Sequence, residues 1–288
     1  MKTIQRILDQ HGALALPGLF DALSARIAER AGCPMGFVSG YSVAATALGE
    51  PDLGLLTQTE IVAQARRICK KISIPVLVDA DTGYGNALNT YRTVEELIDA
   101  GAAGCFLEDQ VWPKRCGHMA DKRIVERSEY LERIRAAVEA RGERDFFIVA
   151  RSDAEAVAGL DEAIARVEAA HALGADACFV EAPGSVEALR EIGRRTPGPR
   201  VANMIEGGKT PLLPRAELAE IGFQLILYPL TGLFGAAETM RRLCAKLIAD
   251  GTSAGSEEQL MDFDSFNALI GVEERLDLVR RLQHGDDP

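Results

Sequence analysis

The sequence is short of positive charge. It has 32 Lys and Arg residues against 43 Asp and Glu residues, and its formal net charge is −11. This balance disfavours nucleic acid and anionic lipid as partners, because both need a basic face. An acidic enzyme that handles an anionic substrate must supply local positive charge, either from a few Arg and Lys side chains or from a divalent metal.

Paired cysteines and long apolar runs are also missing. The six cysteines include no CxxC pair, which is typical of buried thiols in a reducing compartment. The most apolar long segment, residues 223–240, is interrupted by Gln224, Pro229 and two glycines, so no membrane span is expected. The first residues carry charges throughout and contain no apolar stretch of signal-peptide length. We therefore predict a cytoplasmic protein with no membrane partner.

What is present is an alternation of short apolar runs and amphipathic segments over 288 residues, a length that suits two ordinary domains or one α/β barrel. The apolar runs are Ala13–Leu16, Gly36–Ser39, Pro75–Val78, Gly104–Leu107, Phe146–Ala150, Ala177–Val180, Arg200–Ala202 and Gln224–Leu227. Eight parallel strands close a barrel, so the sequence predicts a (β/α)8 TIM barrel over residues 1–240. Residues 241–288 are predicted to be a C-terminal helical extension, which either packs on a neighbouring subunit or closes the bottom of the barrel.

Amphipathic segments between the runs predict the helices. They are Thr93–Ala100, Ser128–Arg141, Leu160–Leu173 and Val186–Arg195. Ser128 is the candidate N-cap of the second of them. Four glycines that stand shortly before apolar runs are predicted to end helices in the left-handed conformation: Gly32, Gly101, Gly174 and Gly222.

Function in a TIM barrel lies at the carboxyl ends of its strands. Six of the runs end there in polar residues, which are Ser39-Gly40-Tyr41, Asp79-Ala80-Asp81, Glu108-Asp109-Gln110, Arg151-Ser152-Asp153, Glu181 and Asn203. A single polar strand end is explained by solvent, but six that meet at one mouth are not. The sequence therefore predicts a site at this end of the barrel.

Carboxylates dominate part of this predicted site. Asp79, Asp81 and Glu108 offer hard oxygen ligands that suit Mg²⁺, with Mn²⁺ as an alternative. The competing interpretation is that one of them caps a helix or pairs with Arg151. Asp52 either serves the same cation through water or holds a turn.

The segment 108–121 has neither strand nor helix periodicity and is predicted to be a loop that closes over a carboxylate ligand. Its Cys116 is either a thiolate, favoured by nearby cations, or a neutral thiol that donates a proton. Cys116 and His118 are too close together to bind zinc and lack partners. The other five cysteines are predicted to be core residues. The glycine loops near Gly83 and Gly207 fail the nucleotide-binding fingerprints.

Five stretches together resemble the isocitrate lyase/phosphoenolpyruvate mutase superfamily over nearly the whole chain. They are VDADTGYGN (78–86), EDQ with PKRCGH (108–118), ARSDA (150–154), VEAP (180–183) and ANMIEGGKTP (202–211). KRCGH resembles the lyase branch, since the mutases and phosphonopyruvate hydrolases carry a different gating loop. Within that branch the chain is most similar to the group of petal death protein and dimethylmalate lyase, and then to 2-methylisocitrate lyase.

The resemblance implies a barrel whose helical extension is swapped between the subunits of a dimer or tetramer. It also implies obligatory Mg²⁺ and cleavage of a carbon–carbon bond in a small 2-hydroxy dicarboxylate, giving a 2-oxo acid and a second carboxylate. Asp79 would bind the metal directly, and three further carboxylates would hold it through water: Asp52, Asp81 and Glu108.

The same resemblance assigns the remaining site residues. The 2-oxo acid half of the substrate would be bound by Ser39, Gly40, Tyr41 and Arg151. The leaving half would be lined by Lys114, Gly117, His118, Glu181 and Asn203. Cys116 would donate the proton to the leaving enolate, and the base that removes the hydroxyl proton would be a water, Glu108 or Tyr41.

Departures from the family patterns narrow the substrate. Oxaloacetate hydrolases of this group carry a serine where Pro229 stands here, so that reaction is disfavoured. The 2-methylisocitrate lyases have an arginine just beyond this position, whereas here Leu233 and Phe234 suit an alkyl group. We therefore expect a 2-alkylmalate or 2,3-dimethylmalate as substrate. The alternatives are 2-methylisocitrate lyase, an oxaloacetate hydrolase or decarboxylase, a C–P bond enzyme, and a non-enzymatic 2-oxo acid sensor.

Overall fold

The computed structural model describes residues 2–284. Eight parallel strands form a closed barrel in which each strand pairs with the next and the last pairs with the first. The strands are β1 (Leu14–Leu19), β2 (Gly36–Val38), β3 (Val76–Asp79), β4 (Gly104–Leu107), β5 (Phe147–Ser152), β6 (Ala177–Val180), β7 (Arg200–Asn203) and β8 (Leu225–Tyr228). The predicted TIM barrel is confirmed. Strand β1 runs three residues beyond its predicted end, through Gly18, where a Cβ atom would lie 2.1 Å from the carbonyl oxygen of Pro229.

Helices connect the strands and surround the barrel. They are α1 (Thr3–His11), α2 (Ala22–Arg30), α3 (Gly40–Val43), α4 (Gln58–Cys69), α5 (Ala87–Asp99), α6 (Arg127–Arg141), α7 (Glu155–Ala158), α8 (Leu160–Ala172), α9 (Val186–Arg195) and α10 (Arg215–Ile221). A π-helical turn, Ala44–Leu48, follows α3. The four predicted glycine ends are confirmed, since their φ angles are 86°, 91°, 109° and 111°.

Two predicted helix starts are wrong. Helix α5 begins at Ala87 instead of Thr93, because the side chain of Asn86 accepts hydrogen bonds from the backbone N–H groups of Leu88 and Asn89. Helix α6 begins at Arg127, so Ser128 lies inside it and is not its N-cap. For α5 the capping side chain is therefore a stronger start signal than the apolar periodicity from Thr93 onward.

Three aromatic rings fill the upper part of the barrel interior. Phe106 makes edge contacts with Phe37, at 5.1 Å between ring centroids, and with Phe179, at 6.0 Å. The three rings are nearly inaccessible to solvent and come from alternate strands, β2, β4 and β6. They give the mouth of the barrel a rigid apolar floor.

The described residues up to Leu233 form one compact unit and those from Phe234 onward form a second. Beyond the barrel strands the chain forms α11 (Thr231–Asp250), a 3₁₀ turn (Glu257–Gln259), α12 (Phe263–Ile270) and α13 (Val272–His284). The division after residue 240 into barrel and extension stays a prediction. Cys244 is exposed, so its assignment to the core is wrong. Among the described residues, no helix has both the length and the apolar character needed to cross a membrane.

Candidate active site

A small cavity lies at the carboxyl ends of the strands. Nine predicted site residues line it: Ser39, Tyr41, Asp52, Asp79, Cys116, Gly117, Arg151, Asn203 and Pro229. Its volume is about 40 Å³. Cys116 and Gly117 belong to its wall, so the predicted loop closes one side of the cavity.

The sequence analysis missed the apolar part of the lining. It consists of Phe37, Phe106, Phe179, Ile205, Leu227 and Leu230. Strand periodicity could have found most of these residues, because side chains two apart point to the same face of a strand. Phe37 stands two residues before Ser39, and Phe179 stands two residues before Glu181.

Asp79 and Asp81 lie at the end of β3. The backbone N–H of Asp81 donates to Oδ1 of Asp79 at 3.2 Å, and Asp81 itself has a φ of 47°. Burial raises the pKa of Asp81 to about 7, with Lys114 opposing and the Asp79 and Asp52 charges adding to the rise. A Cβ atom at Gly40 would lie 3.0 Å from Oδ2 of Asp79, so the glycine lets α3 approach this carboxylate.

Lys114 bridges two of the carboxylates. Its Nζ lies 2.7 Å from Oδ1 of Asp52 and 2.7 Å from Oδ1 of Asp81, and all three side chains are buried. Burial alone would lower the pKa of Lys114, but the charges of Asp52 and Asp81 outweigh it and hold this pKa well above its ordinary value. Lys114 is therefore a protonated, fixed cation that is already paired with Asp52 and Asp81.

Arg151 is surrounded by acidic groups. Its Nε donates to Oδ2 of Asp153 at 2.9 Å, and its Nη2 lies 3.2 Å from Oε2 of Glu108 and 3.4 Å from Oε2 of Glu181. The guanidinium also stands over the ring of Phe179, 5.3 Å from its centroid. Burial raises the pKa of Glu108 well above its ordinary value, although Arg151 opposes the rise.

Cys116 lies in the predicted loop and faces the cavity. Its backbone N–H donates to the carbonyl oxygen of Asp52 at 3.1 Å. Burial, and next the charge of Asp52, raise the pKa of the Cys116 thiol to about 11. Of the two roles that the sequence left open, this environment favours the neutral thiol, which is a proton donor.

The residues after Cys116 are held against the opposite wall. A Cβ atom at Gly117 would lie 2.4 Å from Cγ of Glu181 and 2.5 Å from Nη2 of Arg151. Nδ1 of His118 accepts from the backbone N–H of Lys209 at 2.9 Å, which leaves the proton of a neutral ring on Nε2. That Nε2 lies 3.0 Å from Oε1 of Glu181, without the alignment of a hydrogen bond. Asn203 Nδ2 donates to both oxygens of Glu181 at 3.2 Å.

The donor set fits a hard divalent cation. Oδ2 of Asp81 and Oε1 of Glu108 are buried without a hydrogen-bond donor. Six carboxylates in this cluster, Asp52, Asp79, Asp81, Glu108, Asp153 and Glu181, face three cationic side chains, Lys114, Lys122 and Arg151. Within residues 2–284, no three His, Cys, Asp or Glu side chains enclose a metal position alone. A cation here would thus take few ligands directly from the protein, as Mg²⁺ usually does.

Several predicted substrate residues are not among those that line the cavity: Gly40, Lys114, His118, Glu181 and Leu233. Leu233 is half-buried and is not among the lining residues. Phe234 is 42% exposed and belongs to the second unit, so its contact with substrate stays a prediction.

Comparison with known proteins decides the family. Residues 4–248 match the family described as phosphoenolpyruvate phosphomutase. The chain belongs to the phosphoenolpyruvate mutase/isocitrate lyase superfamily. This confirms the resemblance drawn from the five sequence stretches.

Curated members of the superfamily match nearly the whole chain. Petal death protein of Dianthus caryophyllus is 47% identical, over 98% of this chain and 89% of its own length. A carboxyvinyl-carboxyphosphonate phosphorylmutase of Arabidopsis thaliana is also 47% identical, over 97% and 84%. The 2,3-dimethylmalate lyase of Eubacterium barkeri is 42% identical, over 98% and 96%. A 2-methylisocitrate lyase of Aeropyrum pernix is 37% identical, over 93% and 86%. The predicted order of similarity within the lyase branch is confirmed.

Solved structures of the superfamily share the fold. An oxaloacetate acetylhydrolase in complex with 3,3-difluorooxalacetate superposes with a TM-score of 0.93 at 31% identity, over 98% of this chain and 97% of the other. A 2,3-dimethylmalate lyase superposes with a TM-score of 0.91 at 37% identity, over 98% of this chain and 94% of the other. A phosphonopyruvate hydrolase bound to oxalate and Mg²⁺ superposes with a TM-score of 0.85 at 27% identity, over 99% of both chains. The prediction that the chain is an enzyme of the lyase type is confirmed by its relatives.

Proposed function

We propose that this enzyme is a Mg²⁺-dependent lyase that cleaves a carbon–carbon bond in a 2-alkylmalate of the 2,3-dimethylmalate type. The products are a 2-oxo acid such as pyruvate and a short carboxylate. The observation that carries the proposal is the partly buried thiol of Cys116 on the wall of the cavity that Asp79 and Arg151 also line. The names of the petal death protein and dimethylmalate lyase relatives support it.

The chemistry asks for positive charge and a proton donor. The bond between the hydroxyl-bearing carbon and its neighbour breaks, and the hydroxyl oxygen becomes the carbonyl of the 2-oxo acid once a base takes its proton. The bonding electrons remain on the neighbouring carbon as the enolate of the second carboxylate. We assign to Cys116 the delivery of the Sγ proton to that carbon. Ser39 and Arg151 hold the 2-oxo acid half in place.

The four carboxylates Asp52, Asp79, Asp81 and Glu108 are the residues that would hold Mg²⁺, or Mn²⁺ in its place. When bound, the metal supplies the positive charge that stabilises the hydroxyl oxygen and carboxylate of the substrate. Lys114 and Arg151 cannot supply all of that charge, because both already pair with protein carboxylates. Burial, and next the charges of Cys116 and Asp52, raise the pKa of Tyr41, so its hydroxyl stays protonated and is a weaker candidate for the base than Glu108.

The choice of a 2-alkylmalate rests on one wall of the cavity. Ile205, Leu227, Pro229 and Leu230 are all buried there and present apolar surface. An alkyl substituent gains from contact with such a wall, whereas the third carboxylate of 2-methylisocitrate would lose its water shell there without a cationic partner. Pro229 also offers no hydroxyl to an oxaloacetate substrate. We therefore place the 2-methylisocitrate lyase reaction second, and oxaloacetate hydrolysis and C–P bond chemistry after it.

A substrate panel tests the proposal. The purified protein with Mg²⁺ is incubated separately with 2,3-dimethylmalate, a 2-alkylmalate, 2-methylisocitrate, oxaloacetate and phosphonopyruvate, and 2-oxo acid is measured with lactate dehydrogenase and NADH. We expect kcat/KM to be highest for the alkylmalates. Oxalate or phosphate release without cleavage of the alkylmalates contradicts the proposal. Binding of pyruvate with no turnover of any acid identifies a sensor.

We also propose that the enzyme is a homo-oligomer with swapped C-terminal helices, in the cytoplasm. The support is a set of exposed apolar side chains in the second unit, which are Met240, Leu247, Ile248, Phe263 and Leu282. Surface of this kind usually marks a protein interface. Light scattering on the full chain is expected to give the mass of a dimer or tetramer, and a monomer at micromolar concentration contradicts this part of the proposal.

A further inference from the structure

The loop that carries Cys116 has a short antiparallel stem at its base. Gln110 forms an isolated antiparallel bridge with Ile124, and the backbone N–H of Val111 donates to the carbonyl oxygen of Arg123 at 2.8 Å. Lys122 directly precedes the second strand of this stem. The part of the loop beyond this stem, residues 112–122, thus has its two ends fixed together.

Lys122 is buried although it lies in a loop. Its side chain is 1% exposed, and its Nζ donates to Oδ1 of Asp153 at 2.8 Å. A lysine on a loop ordinarily extends into water, and burying an ammonium group costs several kcal/mol unless it is paired. The position of this lysine therefore depends on Asp153.

Asp153 is shared between Lys122 and Arg151. The same oxygen that accepts from Lys122 lies 3.2 Å from Nη2 of Arg151, and its other oxygen accepts from Nε of Arg151 at 2.9 Å. One carboxylate thus connects the end of the loop to the guanidinium on the cavity wall. Lys122 partly neutralises the negative charge of Asp153. The positive charge of Arg151 is therefore less neutralised by Asp153 and remains available to an anionic ligand.

A second carboxylate fixes this junction to the other end of the stem. Oδ1 of Asp109 accepts from the backbone N–H of Asp153 at 2.7 Å, and its Oδ2 accepts from the hydroxyl of Ser152 at 2.6 Å. Arg166 donates from Nη1 to the carbonyl oxygen of Val125 at 2.8 Å, and the same nitrogen lies 3.3 Å from Asp109. Both ends of the loop therefore meet at the carboxyl end of β5, where Arg151 lies.

We infer that Lys122 is a positioning residue for the site. It acts through Asp153 on the charge and orientation of Arg151, and it anchors the loop that brings Cys116 over the cavity. Lys122 itself is not among the residues that line the cavity. The kinetic part of this inference rests on the proposed function.

The kinetic test compares Lys122→Met, Lys122→Arg and the wild type on the best alkylmalate with Mg²⁺. We expect Lys122→Met to raise KM about tenfold, an effect of the size measured within buried charge networks, while kcat changes much less. Lys122→Arg restores a cation and should return KM close to the wild-type value. The matched control is Lys2→Met, which removes a lysine paired with Asp176 just before β6, at the opposite end of the barrel. Equal KM values for Lys122→Met and wild type, or the same KM rise in Lys2→Met, overturn the inference.

A double-mutant cycle tests whether the effect passes through Asp153. In an Asp153→Asn background, adding Lys122→Met should leave KM unchanged, because the carboxylate that carries the effect is already gone. A full KM increase in that background overturns the inference. If Lys122→Met alone fails to fold, KM is compared between Asp153→Asn and the double variant. The double variant has neither charge of the Lys122–Asp153 pair, so it contains no unpaired buried charge at this position.

A readout that needs no turnover separates this inference from the proposed function. The rate at which iodoacetamide modifies Cys116 is measured by peptide mass spectrometry, with the same protein unfolded in urea as the reference. Loss of the anchor should make Cys116 react several-fold faster, relative to this reference, in Lys122→Met than in wild type and Lys2→Met. Equal relative rates contradict the anchoring role. Failure of the proposed function is seen separately, as wild-type protein that cleaves no alkylmalate.

Discussion

Replacing Gly117 by alanine should separate closure of the loop from folding of the barrel. The added Cβ atom would lie 2.4 Å from Cγ of Glu181 and 2.5 Å from Nη2 of Arg151, whereas carbon atoms in favourable contact are about 3.5–4.0 Å apart. Both neighbours are buried and charged, so the loop must retreat by more than 1 Å. Overpacking of this kind costs about 1–3 kcal/mol, which corresponds to a closed state populated about 5-fold to 150-fold less.

Turnover of the best alkylmalate is the assay. A displacement of about 1 Å at a reacting group can cost about 10²-fold in rate, so we expect Gly117→Ala to lower kcat/KM by one to two orders of magnitude. Its melting temperature should change little, because Gly117 lies in a loop outside the barrel core.

Gly184→Ala is the matched control, since this exposed glycine follows β6 near the same mouth and its added Cβ would meet no atom within 4 Å. It should keep wild-type activity. Gly117→Ala with wild-type kcat/KM would refute the view that the loop closes onto Glu181 and Arg151 during the reaction.

Three further predictions concern single residues. Cys116→Ser should lower kcat by about 10²–10⁴-fold, the usual contribution of a proton donor, while calorimetry still detects pyruvate binding with Mg²⁺; an active variant contradicts the assigned role. Asp153→Asn should lower the free energy of unfolding by about 3–5 kcal/mol at neutral pH, because two buried cations lose a partner. Burial by itself would raise the pKa of Asp153, but the charges of Arg151 and Lys122 outweigh burial and hold this pKa below its ordinary 3.8. The wild type therefore loses this stabilisation as the carboxylate becomes protonated, when the pH falls below about 4. Denaturant titrations should thus show the difference narrowing in acid, and a difference independent of pH contradicts the pairing. Asn86→Ala should cost about 1 kcal/mol through loss of the α5 cap, measured by urea unfolding, and no loss contradicts the capping role.

Much of the fold followed from local patterns. Strands buried on both faces are continuous apolar runs, and the polar residues that follow them had to meet at one end of a closed barrel. This is why the sequence alone predicts that Asp79, Arg151 and Asn203 lie around one cavity. Helix starts were less accurate, because the capping side chain of Asn86 outweighed the apolar periodicity further along.

The remaining features depend on distances between segments that are far apart in the chain. The state of Cys116 depends on burial and on Asp52, which lies more than sixty residues earlier, so the sequence left thiol and thiolate open. Lys114 could be assigned to the site, but its bridge between Asp52 and Asp81 needed three separate loops to be brought together. The apolar wall around Ile205 was not predicted, because the search for site residues considered only polar residues at the strand ends and not the apolar residues next to them.

The two kinds of chemistry in this cavity come from different sides of the barrel. The acidic ligands are supplied mainly by β3, β4 and the segment after β2, whereas Ile205 and Leu230 follow β7 and β8 across the mouth. The two sides do touch, since Lys209 after β7 donates to His118 and Ser42 after β2 donates to the carbonyl oxygen of Pro229. A mutant library restricted to Ile205 and Leu230 leaves these contacts in place, and it could therefore retune which side chain a substrate carries without removing a residue of the charged cluster. This separation offers a route by which one scaffold diversifies among related acids.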